Sequence, residues 1–283
     1  MILDYFVSII TYSLIYILIV TSLNLAYGFT GLVNLGHMAF FGIGAYASAL
    51  LTLNGMPWYA AMILAGIIAS VFGAIMAAIT VRLKGDYFQV VTLGLVFMTI
   101  AVSRNWISLT RGALGLPGVP SIISSKFYYM LFVLLICSIC VLIINLIVKS
   151  KTGRIFQAIR DDETAAAILG KNTYFYKVLS ISVSTFFAGI AGSLFVHYIN
   201  FVDPTIFDLE FFVLILSFLI IGGVASIKGT IISVFVLEAI HESLRFVAIS
   251  PEIIGALRVM LFMGISIVIL IFRPRGMFGK VDI

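Results

Sequence analysis

Charged residues are scarce in this sequence: Asp, Glu, Lys and Arg together make up 10% of its 283 residues, less than half the share in a typical soluble domain. A phosphate loop of the form G-x-x-x-x-G-K-S/T does not occur, and no grouping of residues suggests a nucleophile, paired catalytic carboxylates or a metal site. The sequence therefore predicts a protein that does not hydrolyse ATP itself, has no catalytic residue and needs no metal or cofactor.

Cysteine is also scarce, with only Cys137 and Cys140 in the whole chain. Their C-x-x-C spacing is typical of redox or metal chemistry, but they lie in the middle of a long apolar run where no second ligand pair is expected. Buried cysteines usually behave as small apolar residues. We interpret this pair as part of the apolar interior.

Apolar residues account for 62% of the sequence, and the mean hydropathy is +1.21. Their runs reach about 20 residues without alternation, which is long enough for helices to cross a bilayer and excludes the short alternating strands of a barrel. We predict an all-α, polytopic transmembrane helix bundle that forms a single domain over residues 1–283. About nine spans are expected, with eight or ten as alternatives, at residues 5–26, 30–53, 58–80, 87–103, 127–148, 178–199, 211–223, 230–248 and 256–272.

Basic residues are distributed unevenly between the predicted loops. Alternate loops hold twelve of the 17 Lys and Arg residues, namely Arg82, Lys84, Lys149, Lys151, Arg154, Arg160, Lys171, Lys177, Lys228, Arg273, Arg275 and Lys280. Short loops rich in Lys and Arg stay in the cytoplasm during insertion. We therefore predict a cytoplasmic C-terminus and, with nine spans, an N-terminus outside. Because the excess charge of +5 is spread over several short loops, it does not indicate nucleic-acid binding.

The longest polar stretch is GRIFQAIRDDETAAAILGKN, residues 153–172. Ile155 and Ile159 recur at helical spacing, Asp161 or Asp162 can cap a second helix, and Gly170 can end it in a left-handed turn. That second helix, near residues 163–169, is too short to cross a membrane. Its small Ala residues allow a partner surface to approach closely, and the neighbouring charges can fix the register. From the pattern alone, a solvated loop without a partner remains the alternative.

This stretch resembles the cytoplasmic loop of the permease subunits of branched-chain amino acid ABC importers, the LivM/LivH family, in which G-R-x-F-x-A-I-R-[DE]-[DN]-E, then A-A, G-[IK]-N and Y-K recur. The matching residues are Gly153, Arg154, Phe156, Ala158, Ile159, Arg160, Asp161, Glu163, Ala165, Ala166, Gly170, Asn172, Tyr176 and Lys177. The resemblance implies that residues 149–177 form a cytoplasmic coupling loop that docks on an ATPase subunit. The residues that we expect to couple are Arg154, Phe156, Ile159, Arg160, Asp161, Asp162, Glu163, Ala165, Ala166 and Gly170.

Further motifs extend the resemblance over most of the chain in the expected order. They are GFTGLVNLGHMAFFGIGAYASALL, LKGDYFQVVTLG, LTRGALGLPGVP, GGVASIKGT and FRPRGMFGK. GDYF and NLGHMAFFGIGAY fit the LivM type better than the LivH type. Two positions depart from the family, since Arg111 stands where Gly is more frequent and Thr230 stands where Pro is usual.

The resemblance implies a transport subunit and not an enzyme. We expect a permease that carries leucine, isoleucine or valine by alternating access in the inner or plasma membrane of a prokaryote. The partners it implies are two ABC ATPase subunits, a second LivH-like permease in a heterodimer, and a periplasmic or extracellular substrate-binding protein. Urea or another amino acid or amide is the alternative substrate. An ion-coupled secondary carrier is a less favoured alternative, because such a carrier has no use for an Ala-rich capped helix at the cytoplasmic surface.

Glycines and polar residues are concentrated in the second predicted span. Glycine in a membrane helix allows close packing or a local break that can line a cavity. Asn34 and His37 lie three residues apart, hence on one helix face, and could contact a translocation path or tie helices together by hydrogen bonds. The candidates for translocation path or helix packing are Asn34, Gly36, His37, Gly42, Gly44 and Thr92. In the third span, a stripe of small residues from Ala65 to Ala77 predicts tight helix packing.

Four ionisable residues, Glu238, His241, Glu242 and Arg245, are spaced so that they share one face of the eighth predicted span. A charge at the centre of a membrane helix costs roughly 3 kcal/mol on insertion scales, so the group should be paired internally or face water. A proton relay is one interpretation. We favour an internal ion pair between Glu242 and Arg245.

Overall fold

A computed structural model of the chain describes residues 2–83, 85–243, 260, 263–269, 271–273 and 275–279. The described residues are almost entirely helical. The helices are α1 (Ile2–Asn24), α2 (His37–Leu53), α3 (Trp58–Thr80), α4 (Asp86–Asn105), α5 (Ile107–Thr110), α6 (Lys126–Lys149), α7 (Lys151–Asp161), α8 (Glu163–Ile168), α9 (Thr173–Ile199), α10 (Leu209–Gly222) and α11 (Ile227–Ser243). Residues 263–269 are also helical. A π-helical turn, Leu25–Phe29, continues α1, and 3-10 turns occupy Gly112–Leu114 and Pro204–Phe207.

Two short strands provide the described β-structure. β1 (Leu116–Pro117) and β2 (Phe201–Val202) pair antiparallel. They join the segment after α5 to the segment after α9 at one end of the bundle.

Five of the helical segments that the structure describes are long and apolar enough to cross a membrane: Leu3–Phe29, Trp58–Thr80, Asp86–Asn105, Lys126–Lys149 and Thr173–Ile199. They correspond to the first, third, fourth, fifth and sixth predicted spans, so the all-α polytopic class is confirmed. α2 and α10 are apolar but shorter. Because the eighth and ninth predicted spans include residues outside the described part of the chain, the count of nine stays a prediction.

α9 lies at the centre of the bundle, where it packs against α1, α2 and α3. Small residues make these contacts close. A Cβ atom on Gly189 would lie 2.8 Å from the carbonyl oxygen of Ala65 and 2.7 Å from Cβ of Ala69. The small-residue stripe of α3 is therefore buried against α9, as the sequence predicted.

The second predicted span begins seven residues later than expected. The sequence placed its start at residue 30, but α2 begins only at His37, and residues 31–36 have no helical structure although three of the six are buried. Gly31 has a φ of 75°, a conformation that glycine adopts without steric cost. The backbone N–H of Leu35 donates to Oγ1 of Thr92 at 3.2 Å, so a side chain replaces a helical carbonyl as its partner. The glycines here break the helix.

α1 and α9 run antiparallel. The rings of Tyr12 and Tyr198 meet at one end of the bundle, at a centroid distance of 5.1 Å, and the hydroxyls of Thr30 and Ser180 meet towards the other end at 2.6 Å. The second end, where α9 begins, carries α7 and α8 and is called the α7–α8 end below.

Candidate functional site

α7 is anchored to the bundle by one apolar face. Ser150 caps it by accepting from the N–H of Gly153 at 3.3 Å. A Cβ on Gly153 would collide with the carbonyl oxygens of Ile147 and Val148, so glycine permits the sharp turn out of α6. Phe156 is fully buried in the main apolar core, and Ile159 is buried too. α7 is therefore packed onto the bundle through its apolar face.

Arg160, at the end of α7, connects this helix to the break between α1 and α2. Its Nη1 donates to the carbonyl oxygen of Gly28 at 3.0 Å, an acceptor at the end of the π-turn where helical partners run out. Its Nε donates to Oδ1 of Asp161 at 2.8 Å. The side chain of Arg160 also covers Gly31, where a Cβ would lie 3.1 Å from Cγ of the arginine. The side chain of Arg160 thus joins α7 to the π-turn after α1 through its guanidinium and contacts the non-helical segment through its aliphatic part.

α8 is the second short helix that the sequence predicted, and its caps are those expected. Oδ1 of Asp162 accepts from the N–H groups of Thr164 at 2.9 Å and Ala165 at 3.0 Å. Gly170 ends the helix with a φ of 76°. Glu163 forms an ion pair with Lys177 at the start of α9, with Nζ and Oε2 2.5 Å apart. This capped helix is therefore held in a fixed position relative to α9.

The outward surface of α8 differs from the expected one at Ala166 and at two exposed aliphatic residues. Ala166 is buried on the side where α8 packs on α9, so it is not part of a partner surface. Ala165 and Ala167 are exposed, and the large apolar residues exposed beside them are Ile168 and Leu169, with exposed fractions of 81% and 76%. The sequence feature that could have identified them is a pair of consecutive aliphatic residues before a glycine in an otherwise polar stretch. The α8 tip, defined as Ile168 and Leu169, is an apolar projection in a charged region.

The polar residues predicted for a translocation path lie together around the break before α2. Asn34, His37 and Thr92 are all fully buried. Oδ1 of Asn34 accepts from the N–H of Gly36 at 3.0 Å, and Nε2 of His37 lies 2.8 Å from Oγ of Ser22. Within the described part of the chain, Nδ2 of Asn34 and Nδ1 of His37 have no hydrogen-bond partner, which is costly for a buried polar atom.

The two other glycine candidates lie at close helix contacts. A Cβ on Gly42 would lie 2.7 Å from the ring of Phe207. A Cβ on Gly44 would collide with the backbone of Gly189 on α9. These positions therefore allow α2 to approach α9 and the 3-10 turn that contains Phe207.

The ionisable cluster on α11 is brought together as predicted for three of its four residues. Nδ1 of His241 lies 3.6 Å from Oε2 of Glu238, and the hydroxyl of Tyr5 donates to Oε2 of Glu242 at 2.5 Å. Potential ligand atoms of these three α11 residues lie within 4.8 Å of one another, so they are the described residues that could hold a cation. Arg245, and with it the predicted pair with Glu242, lies outside the described residues.

The sequence of residues 5–270 matches the family model described as the permease component of the branched-chain amino acid transport system. The chain belongs to this family. The predicted resemblance to the LivM type is confirmed, since LivM proteins are among the relatives of this permease.

Two relatives indicate how far the similarity extends. The permease is 28% identical over 302 residues to the high-affinity branched-chain amino acid transport system permease protein LivM of Escherichia coli, covering 96% of this chain and 69% of that protein. It is 23% identical to the probable LivM of Methanocaldococcus jannaschii, covering 93% and 90% of the two chains. Among solved structures, PsaBC from Streptococcus pneumoniae in complex with Fab superposes with a TM-score of 0.48 at 16% identity, covering 91% and 88%.

Asn24 is a buried residue of the permease that the sequence did not single out. Its Nδ2 donates to Oγ1 of Thr230 at 2.9 Å, and its Oδ1 accepts from the N–H of Ala225 at 3.0 Å. Ala225 has a φ of 61°, so the asparagine holds a strained turn between α10 and α11. The sequence feature that could have identified Asn24 is its position as an amide at the end of a long apolar helix, where an unpaired polar group would be costly.

Proposed function

We propose that this permease is the membrane subunit of an ATP-driven importer for branched-chain amino acids. Its family and the names of its relatives support this substrate class. Urea or another amino acid or amide is the alternative cargo. ATP would be hydrolysed by two separate ATPase subunits, since the sequence contains no phosphate loop.

The hydrogen bond from Arg160 to Gly28 is the observation that carries the proposal. An ATPase subunit that docks on α7 and α8 can move the bundle only if these helices are joined rigidly to the membrane helices. Phe156 provides the apolar anchor of α7, and Arg160 provides a polar connection to the point where α1 ends. Displacement of α7 would therefore act directly on the break before α2.

The α8 tip supplies the contact surface in this proposal. Ile168 and Leu169 are mostly exposed, and burial of aliphatic side chains of this size in an apolar pocket on a partner is favourable. Asp161 and Glu163 already pair with Arg160 and Lys177 inside the chain. We assign them to the rigidity of the coupling segment and assign recognition to the tip.

Basic residues at the α7–α8 end support a cytoplasmic location for that end. Lys149, Arg154, Arg160 and Lys228 line one cavity there, and Arg82 lies over the ring of Tyr174 at the start of α9. Loops rich in Lys and Arg are retained in the cytoplasm. This orientation leaves the opposite end, which contains the β1–β2 pair, for the substrate-binding protein.

Asn34, His37 and Thr92 are the residues that we assign to the translocation path. Transporters place substrate sites where a membrane helix is broken, because backbone groups and polar side chains become available there. The break at residues 31–36 has this form, and Nδ2 of Asn34 within it and Nδ1 of His37 directly after it are buried polar atoms without a described partner. A second, LivH-like permease would complete the path from the other side.

Reconstitution in vesicles tests the proposal. With ATPase subunits, the second permease, binding protein and ATP, vesicles should accumulate labelled leucine. The permease alone should move no leucine, and accumulation by the permease alone under an ion gradient would instead favour a secondary carrier.

Triple replacement of Arg160, Asp161 and Glu163 by Ala should abolish ATP-driven uptake without reducing membrane insertion. Unchanged uptake in that variant would overturn the coupling assignment.

A further inference from the structure

A cavity of about 870 Å³ opens at the α7–α8 end. α6 and α11 both pack on α1, and the cavity lies between these two helices, with residues of α7 lining it at the α7–α8 end. Its volume falls within the range of about 300–1,000 Å³ that is typical of sites for small organic ligands. The coupling segment therefore borders a space large enough to hold a molecule.

Four basic side chains line the cavity at the α7–α8 end, which we call its mouth, and its described lining contains no acidic residue. These side chains are Lys149 at the end of α6, Arg154 and Arg160 on α7, and Lys228 at the start of α11. Arg160 pairs with Asp161, but Lys149, Arg154 and Lys228 have no ion-pair partner among the described residues. Three cations from three different helices therefore line one cavity, where a bound anion would offset their mutual repulsion.

The deeper part of the cavity is apolar. Leu134 and Leu142 line it on α6, Ile231 and Phe235 line it on α11, and Ile17 lies on α1. Between Leu134 and Lys149, α6 rises roughly 22 Å at 1.5 Å per residue. Because the hydrocarbon layer is about 30 Å thick, the apolar part reaches well into that layer while the basic mouth lies at its surface.

We infer that this cavity binds an acidic phospholipid from the leaflet on the α7–α8 side. The headgroup phosphate would lie between Lys149, Arg154 and Lys228, and one acyl chain would lie along Leu142 and Phe235. Basic pockets between membrane helices bind anionic headgroups in this way. A soluble anion would leave the apolar part unfilled, and a soluble protein subunit would not enter the hydrocarbon layer.

In this inference, the negative charge of the headgroup sets how tightly the lipid binds, and the acyl chain places the lipid in the apolar part of the cavity. The inference depends on the cavity and its charges, and not on the proposed transport function. Since Arg154, Gln157 and Arg160 of α7 line the same cavity, a bound headgroup would contact the segment that we propose for coupling. Acidic lipid would therefore brace α7 against α6 and α11.

Quenching of a tryptophan by brominated lipid tests the inference. The two native tryptophans would be removed by Trp58→Phe and Trp106→Phe, and a single reporter introduced by Phe235→Trp. The purified permease would be placed in nanodiscs with phosphatidylglycerol or phosphatidylcholine brominated on the acyl chain. We expect brominated phosphatidylglycerol to reach half-quenching at a roughly tenfold lower mole fraction, since each lysine near a membrane surface contributes severalfold to binding of anionic lipid.

Two double variants separate the cavity from general surface charge. Lys149→Gln with Lys228→Gln should remove the preference for phosphatidylglycerol, whereas Lys149→Arg with Lys228→Arg should keep it and show that the fold tolerates change there. Lys151→Gln with Lys171→Gln removes the same charge at the same end but outside the cavity lining, and should leave the preference intact.

Three results would overturn the inference. The first is equal quenching by the two lipids in the parent protein. The second is a preference that survives the Lys149→Gln and Lys228→Gln changes or is lost equally in the control pair. The third is quenching in the isolated permease that disappears when the complete transporter assembles, which would assign the cavity to a partner protein. None of these measurements requires transport, so failure of the proposed function would not affect them.

Discussion

The guanidinium of Arg160 and the carbonyl of Gly28 form a hydrogen bond of 3.0 Å across 132 residues of sequence. It connects a helix outside the predicted membrane spans to the last turn of the first membrane helix. The carbonyl is available because the π-turn ends there, and the arginine can lie close to this segment because Gly31 has no side chain that would meet its Cγ.

Replacing Arg160 by lysine should uncouple transport from ATP hydrolysis. Lysine keeps the charge but cannot bond Gly28 and Asp161 at once with a planar group. Loss of one charge-assisted hydrogen bond should reduce the amount of leucine imported per ATP hydrolysed by roughly tenfold, measured in vesicles that contain the complete transporter. Arg82→Lys is the matched control, because lysine can still lie over the Tyr174 ring. An unchanged ratio in Arg160→Lys would contradict the assignment.

The α8 tip should determine how tightly the ATPase subunits bind. Burial of a leucine or isoleucine side chain contributes about 1.5–3 kcal/mol, so Ile168→Ser with Leu169→Ser should weaken binding of the purified ATPase by roughly a hundredfold or more. The conservative pair Ile168→Val and Leu169→Met should retain most of the affinity. Surface plasmon resonance on the detergent-solubilised permease would measure both, and equal affinity of the serine variant would exclude the tip as the docking contact.

Close helix packing predicts different outcomes for two glycines in membrane helices. Gly44→Ala places a methyl group against the backbone of Gly189 and should lower the free energy of unfolding by about 1–3 kcal/mol. Gly94→Ala on α4 meets no atom within 4 Å and should be neutral or slightly stabilising, since alanine favours helix. Denaturant titration of the solubilised protein would compare them, and equal stability of the two variants would show that α2 and α9 are further apart.

Asn24→Ala should destabilise the turn between α10 and α11. The change leaves the buried N–H of Ala225 without its acceptor, and a buried group left unsatisfied costs about 1–3 kcal/mol. The hydroxyl of Thr230 loses the amide donor but still donates to the carbonyl of Ser226. Asn54→Ala is the control, because Asn54 is exposed and bonds only to the carbonyl of Leu50. Thermal unfolding should therefore begin at a lower temperature in Asn24→Ala than in Asn54→Ala, and the reverse order would contradict this role of Asn24.

The sequence predicted the long helices and the two short ones well, because these depend on local features. Apolar length places α3 within one residue at both ends, and Asp162 and Gly170 mark the limits of α8 by capping chemistry alone. The predicted start of α2 was wrong because the length of an apolar run does not show which hydrogen bonds its backbone forms. Residues 31–36 are apolar enough to be helical, but Thr92, which is distant in sequence, replaces the helical partner of Leu35.

Contacts between distant residues were the least predictable part of the site. Motif similarity identified Arg160 as important but gave no indication that Gly28 is its acceptor. Asn24 was missed for the same reason, since Ala225 and Thr230 lie about 200 residues away. The exposure of Ile168 and Leu169 could have been predicted, because helical spacing places Ile168 on the outer side once Ala166 is assigned to the buried side, and Leu169 comes directly before the glycine that ends the helix.

The unequal lengths of α2 and α6 determine how the protein fits a bilayer. α6 has 24 residues and spans about 36 Å, while α2 has 17 residues and spans about 26 Å. α6 has many side chains on the outer surface, and most of α2 is enclosed by protein. A thicker or thinner membrane would therefore tilt α6 and its neighbours through hydrophobic mismatch, and the broken segment before α2 would be shielded from that strain.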